Sequence, residues 1–124
     1  VGDVQSCLEK STAQFVMIDH HQQPDDYAFI TYSDTTMGST CEMIFHFIVA
    51  LDGKKYITPD VATLLYTGIM TDTGSFRFPS TTAVTHRAIA SLMEHGAENA
   101  QIHENVYDTN SASRIKLLGI ALDN

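Results

Sequence analysis

The stretch Phe15–Asp26, "FVMIDHHQQPDD", decides the fold. Four apolar residues run straight into Asp19-His20-His21, and a polar turn with Pro24 follows. A short, unbroken apolar run suits a strand buried on both faces of a parallel sheet. In open α/β sheets, ligands sit beyond the carboxyl ends of strands. Asp19, His20 and His21 fall at such an end. Neighbouring side chains of a strand point to opposite faces, so two adjacent histidines cannot share one strand face. Imidazole and carboxylate together suit Mn²⁺, Fe²⁺, Co²⁺ or Zn²⁺. Histidines of a plain surface loop would account for the same letters, so the pair alone does not settle a function.

Outward from this stretch, the pattern is mixed. Gly2-Asp3 is placed to cap a first helix with Val4, Cys7 and Leu8 on one face. Ala28–Tyr32, "AFITY", reads as a second strand beside Phe15–Ile18. A helix is expected from Ser39 or Thr40 to about Leu51, with Glu42 in its first turn favouring the dipole. Thr58-Pro59-Asp60 offers a cap, a proline and an acid, and starts a helix that ends near Asp72–Gly74. "PSTTAVTH" opens another, apolar at Ala88, Ile89, Leu92 and Met93 and closed by His95-Gly96. Shorter helices are expected over Ala100–Tyr107 and Ser113–Leu122. The fold class is therefore α/β, with a mainly parallel sheet and flanking helices. Two strands are too few for a complete doubly wound sheet, so the sheet is expected to have partners outside this sequence. "VGDVQ" opens without methionine or a preceding strand, and "RIKLLGIALDN" ends as a helix without a stop. Both ends read as cut.

The bulk numbers bound the function. The chain has 124 residues, 44% of them hydrophobic, and a formal charge of −8. That suffices for one small domain with a core. The negative balance argues against gripping long nucleic acid, which needs a basic stripe. It fits a protein that holds cations or stays soluble. The longest apolar stretch, "MIFHFIVAL", is short for a membrane span and interrupted by His46. No signal peptide opens the chain, and Cys7 and Cys41 lack CxxC spacing. Buried thiols of a cytoplasmic protein are the expectation.

"GIMTDTGSFRF" (68–78) is the second candidate stretch. A carboxylate at a helix C-terminus is unfavourable by roughly 0.3–1 kcal/mol, and a bound cation would offset this at Asp72. A polar turn closed by Gly74 explains the same letters. Arg77 follows Asp72 closely and suits an anionic substrate, although a surface arginine looks no different. His46 reads as a core or boundary residue, His86 and His95 as helix residues, and His103 as exposed. None of the four is expected to bind metal.

"MIDHHQQPDD" followed by "GIMTDTGSFRF" resembles the DHH phosphoesterase superfamily, in the branch of nanoRNases and 3′-phosphoadenosine-5′-phosphate (pAp) phosphatases. That branch also includes c-di-AMP and pApA hydrolases, and such proteins also carry the label exopolyphosphatase-related. "TTMGSTCEMI" (35–44) and "FRFPSTTAVTHRAIASLMEHGA" (76–97) extend the likeness over most of the chain. The resemblance implies a Rossmann-like DHH domain, a linker helix to a smaller associated domain, and a two-metal site, usually Mn²⁺, in the cleft between them. It implies His20 and Asp72 as metal ligands, His21 as a contact to the scissile phosphate, and Asp19 as the residue that orients the motif. It assigns residues 1–110 to the C-terminal part of the DHH domain and 111–124 to the start of the linker helix.

The family's first metal motif, its bridging aspartate and the substrate motif of its associated domain have no counterpart in this sequence. The expected activity is metal-dependent hydrolysis of pAp or short oligoribonucleotides in an intact parent, with this segment inactive alone. A polyphosphatase or pyrophosphatase of the same superfamily is the first rival. A RecJ-type exonuclease fits less well, because basic and aromatic residues do not interleave. A non-catalytic fragment is the rival of another class. An apolar edge left by missing strands points to a homo-oligomer.

Overall fold

The computed structural model describes residues 2–122 and is a mixed α/β assembly. A 3₁₀ turn Gly2–Val4 leads into helix α1, Gln5–Glu9. Strand β1, Val16–Asp19, pairs in parallel with β2, Ile30–Ser33, in the register Val16↔Ile30 to Asp19↔Ser33. Helices α2 (Thr40–Ala50), α3 (Pro59–Asp72), α4 (Ala83–Glu94), α5 (Asn99–His103) and α6 (Ala112–Leu122) follow. A π-helical turn, Glu104–Asp108, extends α5.

The helix starts obey local chemistry. The Ser39 hydroxyl accepts from the Glu42 N–H, and the Thr58 hydroxyl accepts from the Val61 N–H with Pro59 in the first turn. Thr82 and Thr85 form a reciprocal capping box at the start of α4. Gly96, at φ 104°, ends α4 where a side chain would be strained. The core lies between helices. Phe45 of α2, Leu65, Tyr66, Ile69 and Met70 of α3, and Ala88, Ile89 and Leu92 of α4 are buried together.

Several expectations need correction. No side chain caps α1, because residues 2–4 already turn, and no described residue of α1 is buried. Cys7 is exposed, so only Cys41 is part-buried, and both are free thiols. The strands sit one or two residues later than their apolar runs. The Phe15 carbonyl accepts from both the Phe29 and Ile30 N–H groups, and the regular ladder starts only after that shared bond. Neither strand is buried on both faces: Val16 is 55% and Ile30 53% exposed, since two strands offer nothing to cover the outer face. His103 is part-buried rather than exposed, with its ring near those of Tyr66, Phe76 and Tyr107. Every described residue of α6 is exposed, including Ile115, Leu117, Leu118 and Leu122.

Candidate metal centre

The two candidate stretches meet. β1 ends at Asp19, and His20 and His21 begin the loop beyond its carboxyl end. α3 ends at Asp72. Nε2 of His20 lies 3.9 Å from Oδ2 of Asp72. Ligand–metal bonds of about 2.0–2.2 Å let one ion bridge atoms up to about 4 Å apart. The donor pair therefore fits a first-row divalent cation.

A backbone contact orients His20. Its Nδ1 lies 3.3 Å from the carbonyl oxygen of Met37. A carbonyl can only accept, so Nδ1 is the donor in that contact, and Nε2 is the nitrogen left facing Asp72. Ligating histidines are commonly fixed through their other nitrogen in this way. Met37 stands on the loop before α2, where Gly38 and Ser39 are buried. The Asp34 carboxylate shapes that loop by accepting from the Thr36 N–H and hydroxyl, which hold its pKa below the usual carboxylate range.

Asp19 serves the other histidine. Its Oδ1 accepts from His21 Nδ1 at 2.7 Å and from the His21 backbone N–H at 3.2 Å. These bonds, the side-chain one foremost, hold the Asp19 carboxyl below its ordinary pKa. A depressed pKa means that the Asp19–His21 contact persists through the ordinary carboxylate range. It is lost only as pH falls through the lower folded value. The two imidazoles lie closer than strand geometry allows, with centroids 4.5 Å apart. The strand rule does not apply to them, because both stand past the end of β1.

Asp72 is part-exposed, at 45%, against 20% for His20. Nearby, Cys41 is held protonated by burial and, secondarily, by the negative charge of Asp72. Arg77 is exposed, and its Nε donates to the Gly74 carbonyl at 2.7 Å. His46 packs edge-on to Phe45 with Nε2 3.7 Å from Glu42. His95 caps its own helix through the Ser91 carbonyl. Among the described residues, no group of three or more His, Cys, Asp or Glu is placed to hold a metal. The His20–Asp72 pair thus offers two donor atoms rather than a full shell.

Three contributors escaped the sequence reading. The Met37 carbonyl carries no side-chain signature at all. Glu42 looked like a helix-dipole acid, yet it is buried and accepts from Thr85 Oγ1 at 3.0 Å, tying the start of α2 to the start of α4. Its serine-x-x-glutamate spacing signals a capping box, but the carboxylate turns away to α4. Thr73, fully buried, is the third.

Comparison with known proteins adds the family. Residues 1–69 match the model described as DHH family, N-terminal domain. The chain is 32% identical over 117 residues to the bifunctional oligoribonuclease and PAP phosphatase NrnA of Bacillus subtilis, covering 92% of this chain and 36% of that protein. It is 36% identical over 87 residues to a probable bifunctional oligoribonuclease and PAP phosphatase NrnA of Streptococcus mutans, covering 70% and 27%. The crystal structure of an exopolyphosphatase-related protein from Bacteroides fragilis superposes with a TM-score of 0.92 at 34% identity. That match covers all of this chain and 36% of the other. The chain thus spans about a third of the length of relatives of this kind.

Proposed function

The chain belongs to the DHH family, and from that premise we propose that it supplies half of a metal-dependent phosphoesterase site acting on pAp or short oligoribonucleotides. The supporting observation is the pairing of His20 Nε2 with Asp72 Oδ2, with His20 oriented through Met37. Two Mn²⁺ ions in such a site would activate a water for in-line attack and stabilise phosphoryl oxygens. The chain's own residues divide the remaining work. His20 and Asp72 hold metal. His21, kept in place by Asp19, contacts the phosphate under attack. Arg77 matches a second anionic group, since guanidinium pairs with phosphate through parallel N–H bonds. Hydrolysis breaks the bond from phosphorus to the leaving oxygen, and water supplies the new oxygen. A terminal phosphate makes this a phosphatase reaction, and a nucleotide leaving group makes it an exonuclease reaction. We place residues 1–110 in the DHH domain and 111–124 in a linker helix, and the whole in the cytoplasm. No described helix is long and apolar enough to cross a membrane.

The test is hydrolysis by the intact protein that carries these residues, with pAp, a diribonucleotide and pyrophosphate as substrates in millimolar Mn²⁺. Phosphate release from pAp or mononucleotide release from the dimer, lost in Asp72→Asn, supports the reading. Turnover of pyrophosphate alone would transfer it to the polyphosphatase reading, which the likeness to an exopolyphosphatase-related protein keeps in view.

The 124-residue chain by itself should turn over none of these. Two side-chain ligands cannot hold two cations against water. Activity of the isolated chain near that of the intact protein would overturn the expectation. The isolated chain should also self-associate. Val16, Phe29 and Ile30 expose apolar surface beside an unpaired strand edge. Light scattering at rising concentration should give a mass above that of one chain, and a stable monomer would count against it.

A further inference from the structure

The backbone after Asp72 is strained. Gly74, Ser75 and Phe76 have φ of 56°, 58° and 63° in succession. Residues with side chains visit this left-handed region singly and at a cost, and unbroken runs are unusual. Such strain persists only where surrounding bonds over-determine it. The Ser75 N–H donates to the Met70 carbonyl at 2.8 Å and the Gly74 N–H to the Thr71 carbonyl at 3.2 Å, and Thr73 supplies the other bonds. Its hydroxyl donates to the Ile69 carbonyl at 2.6 Å and accepts from the Phe76 N–H at 3.1 Å. Its carbonyl accepts from the Arg77 and Phe78 N–H groups at 3.0 and 3.1 Å. One buried residue thus closes the turn at both of its ends.

The same residue faces the loop that orients His20. A Cβ built on Gly38 would come within 3.1 Å of the Thr73 methyl, so that methyl packs directly on Gly38, the residue after Met37. Beyond the turn, Arg77 is pinned by its Nε–H bond to the Gly74 carbonyl. Among the described residues Arg77 forms no ion pair. An unpaired guanidinium, its stem fixed by a strained turn, directly follows a candidate metal ligand.

We propose that Thr73 is a positioning residue: by holding residues 74–76 left-handed, it fixes Arg77 relative to the His20–Asp72 pair so that the guanidinium meets the substrate's phosphate. The proposal rests on the phosphoesterase reading for its substrate, but the turn itself can be read without turnover. Asp72 is carried by α3 and not by the turn. Loss of the turn should therefore weaken substrate binding and leave metal binding in place.

In the intact protein, Thr73→Val keeps the methyl packing but removes every bond of the hydroxyl, and Thr73→Ser keeps them. Thr73→Val should raise KM for pAp about tenfold, as expected for losing coupled polar contacts, with little change in kcat or in Mn²⁺ affinity. Thr73→Ser should stay near wild type. In an Arg77→Ala background, Thr73→Val should add nothing further. Gly74→Ala is the second route, because a side chain is strained at φ 56° and its Cβ would also crowd the Phe78 ring at 2.6 Å, which loads the turn without changing Thr73. It should raise KM in the same way. Nitrogen-15 NMR of the Arg77 Nε–H supplies the readout free of turnover: slow exchange in wild type and Thr73→Ser, fast exchange in Thr73→Val and Gly74→Ala. Protection that survives in Thr73→Val and Gly74→Ala overturns the proposal, as does Thr73→Ser behaving like Thr73→Val. A wild-type protein that hydrolyses no phosphoester overturns the functional reading, and the NMR result still decides the role of Thr73.

Discussion

His20→Ala in the intact protein is expected to abolish turnover and metal binding together, whereas His21→Ala should keep most of the metal and lose mainly turnover. The asymmetry follows from partners. His20 presents Nε2 to Asp72 while the Met37 carbonyl holds its other nitrogen. His21 is held by Asp19 at 2.7 Å and is largely exposed, as a residue reaching for substrate should be. Asp19→Asn should then resemble a mild His21→Ala, because the carboxylate's side-chain bond is to the His21 ring, while it meets His20 only through the backbone N–H. Groups that orient a functional histidine typically cost about 10–100-fold when removed, and the His20 substitution should exceed that range. Titration calorimetry with Mn²⁺, run beside pAp hydrolysis for the three variants, separates the roles. If His21→Ala loses metal as fully as His20→Ala, or if Asp19→Asn loses metal at all, the division of labour is wrong.

Much of this arrangement was legible in the sequence because it rests on local rules. Thr58-Pro59 and Ser39 announce their helices through hydrogen bonds made within one turn, and the helices start there. The apolar run before Asp19 marks a strand, and the helix before Asp72 marks its own end. Motif likeness then joins the two stretches, which the fold brings to 3.9 Å. What stayed hidden depends on contacts between distant residues or on backbone atoms. No letter says that the carbonyl of residue 37 will meet residue 20, since every residue has a carbonyl. Glu42 obeys the local rule for a first-turn acid, yet a partner 43 residues away takes its carboxylate. His103 was expected to be exposed, and nothing in the letters beside it reports that its neighbours in space are Tyr66 and Phe76. The strand rule failed for His20 and His21 for a simpler reason: the strand ends one residue earlier.

Gly68→Ala should be the most damaging of the conservative changes to stability, and it should reach the His20–Asp72 pair. In a solvent-facing helix, alanine for glycine stabilises by about 0.8–1 kcal/mol. At Gly68 the added Cβ would collide with Cys41 Sγ and fall 2.9 Å from Cys41 Cβ, closer than real atoms tolerate. α2 and α3 therefore cross at van der Waals contact over this glycine, and alanine must push them apart. Overpacking of this kind costs typically about 1–3 kcal/mol. Cys41 stands in the first turn of α2, four residues after Met37, so the displacement should also move the carbonyl that orients His20. Mn²⁺ affinity should fall with the unfolding midpoint. Gly119→Ala is the matched control. It lies in α6, nothing stands within 4 Å of its Cβ, and helix propensity alone should act there. Urea unfolding should give a lower midpoint at unchanged slope for Gly68→Ala, no loss for Gly119→Ala, and partial recovery in Gly68→Ala/Cys41→Ala. A midpoint for Gly68→Ala at or above wild type would mean that α2 and α3 do not meet at this glycine, and the route from their packing to His20 would fall with it.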